Sequence, residues 1–102
     1  MKEVLENNIK IVEHYGVKAQ IPVWIEEMSE LTKVLCKWAR KYDKLEGDIS
    51  LQLLSDMQEE ITDVTICLDR LKYVLNYTED ELMKKYKYKV DRQLDRITNE
   101  SN

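Results

Sequence analysis

Two stretches of this chain repeat apolar residues at alternating steps of three and four, and each sets one glutamate among them. In the later stretch Leu53, Met57, Glu60, Val64, Cys67, Leu71 and Val74 recur with the spacing of a helix face turned toward a core. Every member except Glu60 is apolar, and Asp63 follows three residues on, beside it on the same flank. In the earlier stretch Trp24, Glu27, Leu31, Val34 and Trp38 keep the same steps; Glu27 is the lone acid and Glu30 follows it. Taking an ionised carboxylate out of water is costly unless a partner pairs with it. Two helices that each place a Glu in a core stripe, with a second acid one turn on, read as the two halves of one cation site.

The rest of the chain supports an all-α reading. It has 102 residues, which fits one domain, and only two Gly and one Pro to interrupt it. Strand-like runs of Val, Ile and Thr are absent. A four-helix, bundle-like fold is expected, with helices over about 3–15, 22–42, 51–75 and 79–97. Leu5, Ile9 and Val12 edge the first helix, widened by Val4, Ile11 and Tyr15, and Gly16 suits a left-handed turn at its end. His14, the only histidine, reads as a polar residue of the last turn rather than a catalytic group. Residues 17–21 are expected to connect, with Pro22 in the first turn of the second helix.

That second helix carries a further stripe without any acid: Trp24, Met28, Leu31, Leu35, Trp38 and Tyr42. The third helix does the same with Leu54, Met57, Ile61, Val64, Leu68, Leu71 and Leu75, so it is apolar over a broad arc. Asp48 or Ser50 could cap its start. Thr78 and Glu81 have the spacing of a capping box for the fourth helix, whose inner face is expected to be Leu82, Tyr86, Val90, Leu94 and Ile97. Residues after Thr98 are expected to fray.

Charge narrows the function. The net charge is -4 with acids and bases interspersed, which excludes the basic face of a nucleic-acid wrapper. No apolar run is long enough to span a membrane, and the N-terminal Met1-Lys2-Glu3-Val4-Leu5-Glu6 has no apolar signal segment, so a cytoplasmic protein is expected. Cys36 and Cys67 are expected as reduced core residues.

Carboxylates at i and i+3 lie about 5–6 Å apart at Cβ, and two such helices packed together bring Glu27, Glu30, Glu60 and Asp63 to one place. Oxygen-only ligation favours magnesium or manganese over thiolate-bound zinc. Four acids exceed what one magnesium ion usually takes from a protein, so more than one ion, or one ion with a carboxylate base, is expected. A di-iron carboxylate bundle would need Glu-x-x-His pairs, and His14 stands alone.

The segments Glu26-Glu27-Met28-Ser29-Glu30-Leu31 and Glu59-Glu60-Ile61-Thr62-Asp63-Val64 resemble the paired signature of the all-α nucleoside triphosphate pyrophosphohydrolases. This is the MazG-like superfamily, which also holds dimeric dUTPases and dCTP pyrophosphatases; the chain looks most like its short single-domain bacterial and phage members. The resemblance implies hydrolysis of an NTP or dNTP to the monophosphate and pyrophosphate, in pool cleaning or nucleotide homeostasis. It implies Mg2+ held by Glu27, Glu30, Glu60 and Asp63, and a homodimer or homotetramer whose site is built from neighbouring subunits. Glu26 or Glu59 could take the proton from water. Lys37, Lys89, Arg92 and Arg96 are candidates for the phosphates, although basic residues on a final helix are ordinarily solvated. Trp24 and Trp38 could stack on a base, although core packing is their more ordinary use. The alternative function is a non-catalytic helical module that oligomerises, binds a partner or senses a nucleotide.

Overall fold

The computed structural model describes residues 1–42 and 49–101. Within them the chain forms four helices and no strand: α1 (Lys2–Tyr15), α2 (Val17–Tyr42), α3 (Leu51–Val74) and α4 (Glu79–Ser101). The all-α expectation holds. Residues 43–48, between the expected second and third helices, lie outside the described residues, and with them the candidate cap Asp48.

The chain divides into two compact units, Met1–Leu71 and the residues from Lys72 on. In the first, α1 and α2 are separated by Gly16 alone. Its φ of 85° and ψ of 156° lie in a region that essentially only glycine occupies. Its N–H donates to the Val12 carbonyl at 2.8 Å, closing α1, and its own carbonyl accepts from Gln20 N–H at 3.2 Å, opening α2. One residue thus turns the chain, and the expected connector over 17–21 is corrected: those residues are helical. Pro22 accordingly sits inside α2 rather than at its first turn, where its missing N–H leaves one helical carbonyl without its usual donor.

Val12, Trp24, Leu53, Met57 and Cys67 form the buried core, drawn from α1, α2 and α3. A polar clasp joins the same three helices. Arg70 Nε donates to Asn8 Oδ1 at 2.6 Å, and Arg70 Nη1 donates to Gln20 Oε1 at 2.9 Å. Asn8 Nδ2 donates to the Ile66 carbonyl at 3.1 Å. Gln20 is buried, so this clasp supplies the partner that a buried amide requires. Ser50 caps α3, its Oγ accepting from Leu53 N–H at 3.2 Å.

Several expected faces prove exposed. Cys36 lies at the surface, unlike Cys67, and both are free thiols. Val4, Leu5, Ile11 and Tyr15 of α1 are also exposed, leaving Ile9 and Val12 to carry its inner edge.

In the second unit the chain turns through Asn76, whose φ of 57° is left-handed. Tyr77 N–H donates to the Lys72 carbonyl at 2.9 Å, ending the preceding helix. Thr78 Oγ1 accepts from Glu81 N–H at 3.2 Å and donates to Glu81 Oε1 at 3.0 Å. The cap is therefore present, with the carboxylate bound to the Thr78 hydroxyl rather than to its backbone. α4 continues past Thr98 to Ser101, where fraying was expected. Of its expected inner face only Leu82 is half-buried; Tyr86, Val90, Leu94 and Ile97 are exposed. No helix among the described residues is long and apolar enough to cross a membrane.

Candidate metal centre

The helix faces that bear the lone glutamates are the ones turned inward. On α2, Trp24 is buried while Glu27, Leu31, Val34 and Trp38 are half-buried. On α3, Leu53, Met57 and Cys67 are buried while Glu60, Val64, Leu71 and Val74 are half-buried. Packing these faces together brings Glu27 of α2 against Glu60 and Asp63 of α3. One carboxylate oxygen from each lies within 4.8 Å of the other two.

Three facts describe the electrostatics. Glu60 Oε2 is shut off from solvent and has no hydrogen-bond partner. Burial, then the charges of Asp63, Glu30, Glu59 and Asp56, push the Glu60 carboxyl above its ordinary pKa. Burial, then Asp63, Glu60 and Glu26, raise Glu27 likewise. A buried acceptor left unpaired costs free energy, and like charges crowded beside it add to the cost. A divalent cation removes both penalties at once.

The donor set fits such an ion. Three carboxylates offer hard oxygens, as magnesium and manganese require. Cys67 is close by, lining a cavity of about 170 Å³ with Val23, Glu27, Asp63, Ile66 and Arg70. Its thiol is pushed up by burial, which disfavours the thiolate that a soft metal would need.

The remaining candidates are placed differently. Glu30 does not join the close triad; its Oε1 lies 3.6 Å from Lys33 Nζ, although its charge still reaches Glu60. Glu26 and Glu59 are exposed. Glu59 borders a depression of about 450 Å³ with Ser55, Gln58, Thr62 and Asp63. The hydroxyls inside the two acidic motifs turn away from the acids: Ser29 donates to the Ile25 carbonyl at 2.9 Å and Thr62 to the Gln58 carbonyl at 2.8 Å. Lys37 is exposed on α2. Lys89, Arg92 and Arg96 are exposed on α4, where Arg92 lies 5.6 Å over the Tyr88 ring. Trp24 belongs to the core, and Trp38 meets Tyr42 edge-on at 6.1 Å. The indole Nε1 atoms of both tryptophans are buried without an acceptor.

Arg70 is the residue that sequence reasoning missed. It lines the same cavity as Glu27 and Asp63. The available signal was its position two helical turns beyond Asp63, on a helix whose only other basic residue is Lys72.

Compared with known protein families, curated proteins and solved structures, the chain matches none.

Proposed function

We propose that this chain is a Mg2+-dependent nucleoside triphosphate pyrophosphohydrolase of the MazG-like kind, cleaving an NTP or dNTP to the monophosphate and pyrophosphate. The observation that carries the reading is that Glu60, whose Oε2 is a buried acceptor without a donor, brings a carboxylate oxygen within 4.8 Å of those of Glu27 and Asp63. A structural helix face gains nothing from that arrangement, whereas a cation-binding face depends on it. The paired acidic motifs around Glu27 and Glu60 supply the choice of reaction, through the resemblance they carry.

In this reading Glu27, Glu60 and Asp63 would hold the cation, and Glu30 would join them on leaving Lys33. Bound magnesium or manganese, more than one ion per site, would neutralise the triphosphate and lower the pKa of a coordinated water. Water adds to the α-phosphorus, the α–β anhydride bond breaks, and pyrophosphate leaves. Of the two candidate bases Glu59 is favoured here, since it borders a depression with Asp63. Glu26, adjacent to Glu27, serves chiefly to raise local negative charge. Lys37, Lys89, Arg92 and Arg96 enter as phosphate contacts, and Trp38 as a base-stacking surface, on the strength of the resemblance. A homodimer or homotetramer is favoured by the exposed acid-free stripes of α2 and α3, which a second copy would cover.

The test is pyrophosphate release from a panel of canonical and modified NTPs and dNTPs, with and without Mg2+. Metal-dependent release from at least one substrate is expected. No release from any, together with no Mg2+-dependent thermal shift, would overturn the reading in favour of a non-catalytic helical module.

A further inference from the structure

Among the described residues Arg70 and Lys72 are the two half-buried basic side chains. Lys33, Lys87 and Lys72 each lie beside a carboxylate: Glu30, Asp91 and Glu79 respectively. Arg70 instead donates to two neutral amides, those of Asn8 and Gln20, and no carboxylate pairs with it among the described residues. It is half-buried, and the amide that holds its Nη1 is 5 % exposed. Half-buried charge without a counter-charge is costly, and a structural clasp between three helices could be made by a neutral side chain. The positive charge therefore calls for a separate explanation.

The cavity offers one. Arg70 lies on its wall with Glu27 and Asp63, in about 170 Å³. That is several times a water's share of liquid volume, ~30 Å³, and leaves room for a phosphoryl group. Among the described residues no ion pair joins the guanidinium to Glu27 or Asp63. Asn8 and Gln20 hold the fork at Nε and Nη1, leaving its other N–H groups without an acceptor among the described residues. A planar fork held on one side and open on the other is suited to a phosphate oxygen.

We propose that Arg70 is a polyphosphate-binding residue, pre-set by Asn8 and Gln20, whose guanidinium contacts an anionic oxygen in the cavity it shares with Glu27 and Asp63, two of the three residues that would hold a divalent ion. The nature of the anion rests on the hydrolase reading; the placement of the charge does not. Gln20 fixes the direction of the fork, and Asn8 ties that direction to α1.

The experiment titrates the full chain with inorganic pyrophosphate by calorimetry, with and without Mn2+, after Mn2+ binding alone has been measured by electron paramagnetic resonance. The proteins are wild type, Arg70→Gln, Arg70→Lys and Gln20→Glu. The last keeps the shape of the clasp and gives Arg70 a carboxylate partner, so its fold is retained while the charge is consumed. Mn2+ affinity is expected to be similar in all four. Pyrophosphate affinity should fall roughly tenfold to a hundredfold in Arg70→Gln and Gln20→Glu, the worth of a charge-assisted hydrogen bond, and less in Arg70→Lys. Unchanged pyrophosphate affinity in a folded Gln20→Glu protein would overturn the proposal and leave Arg70 as a helix clasp. Wild type that binds no Mn2+ sinks the metal reading. In that event pyrophosphate binding that still falls in both variants sustains Arg70, and no pyrophosphate binding at all overturns it too.

Discussion

On α3, Leu53 and Cys67 are almost wholly buried, while Leu54, Ile61 and Leu68, one position further round the helix, are 38, 50 and 44 % exposed. The first set belongs to the stripe interrupted by Glu60; the second belongs to the stripe that is apolar throughout. α2 repeats the contrast, with Glu27 and Val34 half-buried and Met28, Leu35 and Tyr42 exposed. Hydrophobicity alone would turn the uninterrupted stripes inward, since each buried aliphatic side chain gains about 1.5–3 kcal/mol. The single chain does the reverse at the positions the two stripes do not share; Trp24 and Met57, which belong to both, are buried. The inward faces are thus fixed by the packing of Trp24, Leu53, Met57 and Cys67 around the acids, and the uninterrupted faces remain for another surface to cover.

The largest effect expected is on stability, and it separates the two stripes directly. Leu53→Ala should cost about 2–5 kcal/mol, as for a buried leucine whose site cannot fully collapse. Leu68→Ala should cost about 0.5 kcal/mol in the dissociated chain, as for a surface change, and more where copies associate through it. Urea denaturation at several protein concentrations measures both. If the Leu68→Ala cost approaches that of Leu53→Ala and grows with concentration, the uninterrupted stripe is an interface between copies, and the contrast holds only for the isolated chain.

Next come the acids themselves. Glu60→Gln removes a buried charge that nothing in the protein offsets, so the metal-free variant should melt higher than wild type while losing the Mg2+-induced rise in Tm and all metal-dependent turnover. A Glu60→Gln protein with full Mg2+ response would show that Glu60 is merely tolerated in the core stripe.

The same charges predict an unusual dependence on pH. Glu27 and Glu60 have pKa values raised in the folded chain, chiefly by burial and then by neighbouring acids. Between the ordinary carboxylate value and the raised one, the folded state holds more protons than the unfolded state. Stability from these two groups therefore falls as pH rises through that interval and is recovered as pH falls through it. Metal-free protein should gain thermal stability on mild acidification from neutrality, and saturating Mg2+ should abolish the gain. Melting curves across that range, with and without Mg2+, decide it; a metal-free Tm that only declines on acidification would mean that the triad is relaxed by solvent.

How much of this was legible in the sequence depended on the range of the interactions. The stripes around Glu27 and Glu60 are local periodicities, and they identified the inward faces correctly. The sequence did not reveal that Met28, Leu35, Leu54, Ile61 and Leu68 of the acid-free stripes would lie outside, because periodicity ranks both stripes alike and only the packing partners choose. The start of α2 was misplaced because Pro22 suits a first turn, whereas Gly16 can turn the chain in one residue and let the helix begin at Val17. Arg70 was overlooked because its partners Asn8 and Gln20 lie 62 and 50 residues away, a separation that no spacing rule detects.

The smallest effect expected serves as a control on the contrast. Ser50 accepts from Leu53 N–H and so stabilises the start of α3 without favouring either of its faces. Ser50→Ala should cost about 1 kcal/mol, the usual worth of an N-cap hydroxyl. Because the loss falls on the helix and not on a stripe, the Mg2+-induced rise in Tm and the oligomeric state should both match wild type. Differential scanning calorimetry with and without Mg2+, paired with sedimentation, measures each. If so remote a cap weakened the metal response, the acids would be held together by the intactness of α3 as a whole rather than by the local packing of Leu53, Met57 and Cys67, and burial of the Glu60 stripe would be a consequence of helix formation instead of its companion.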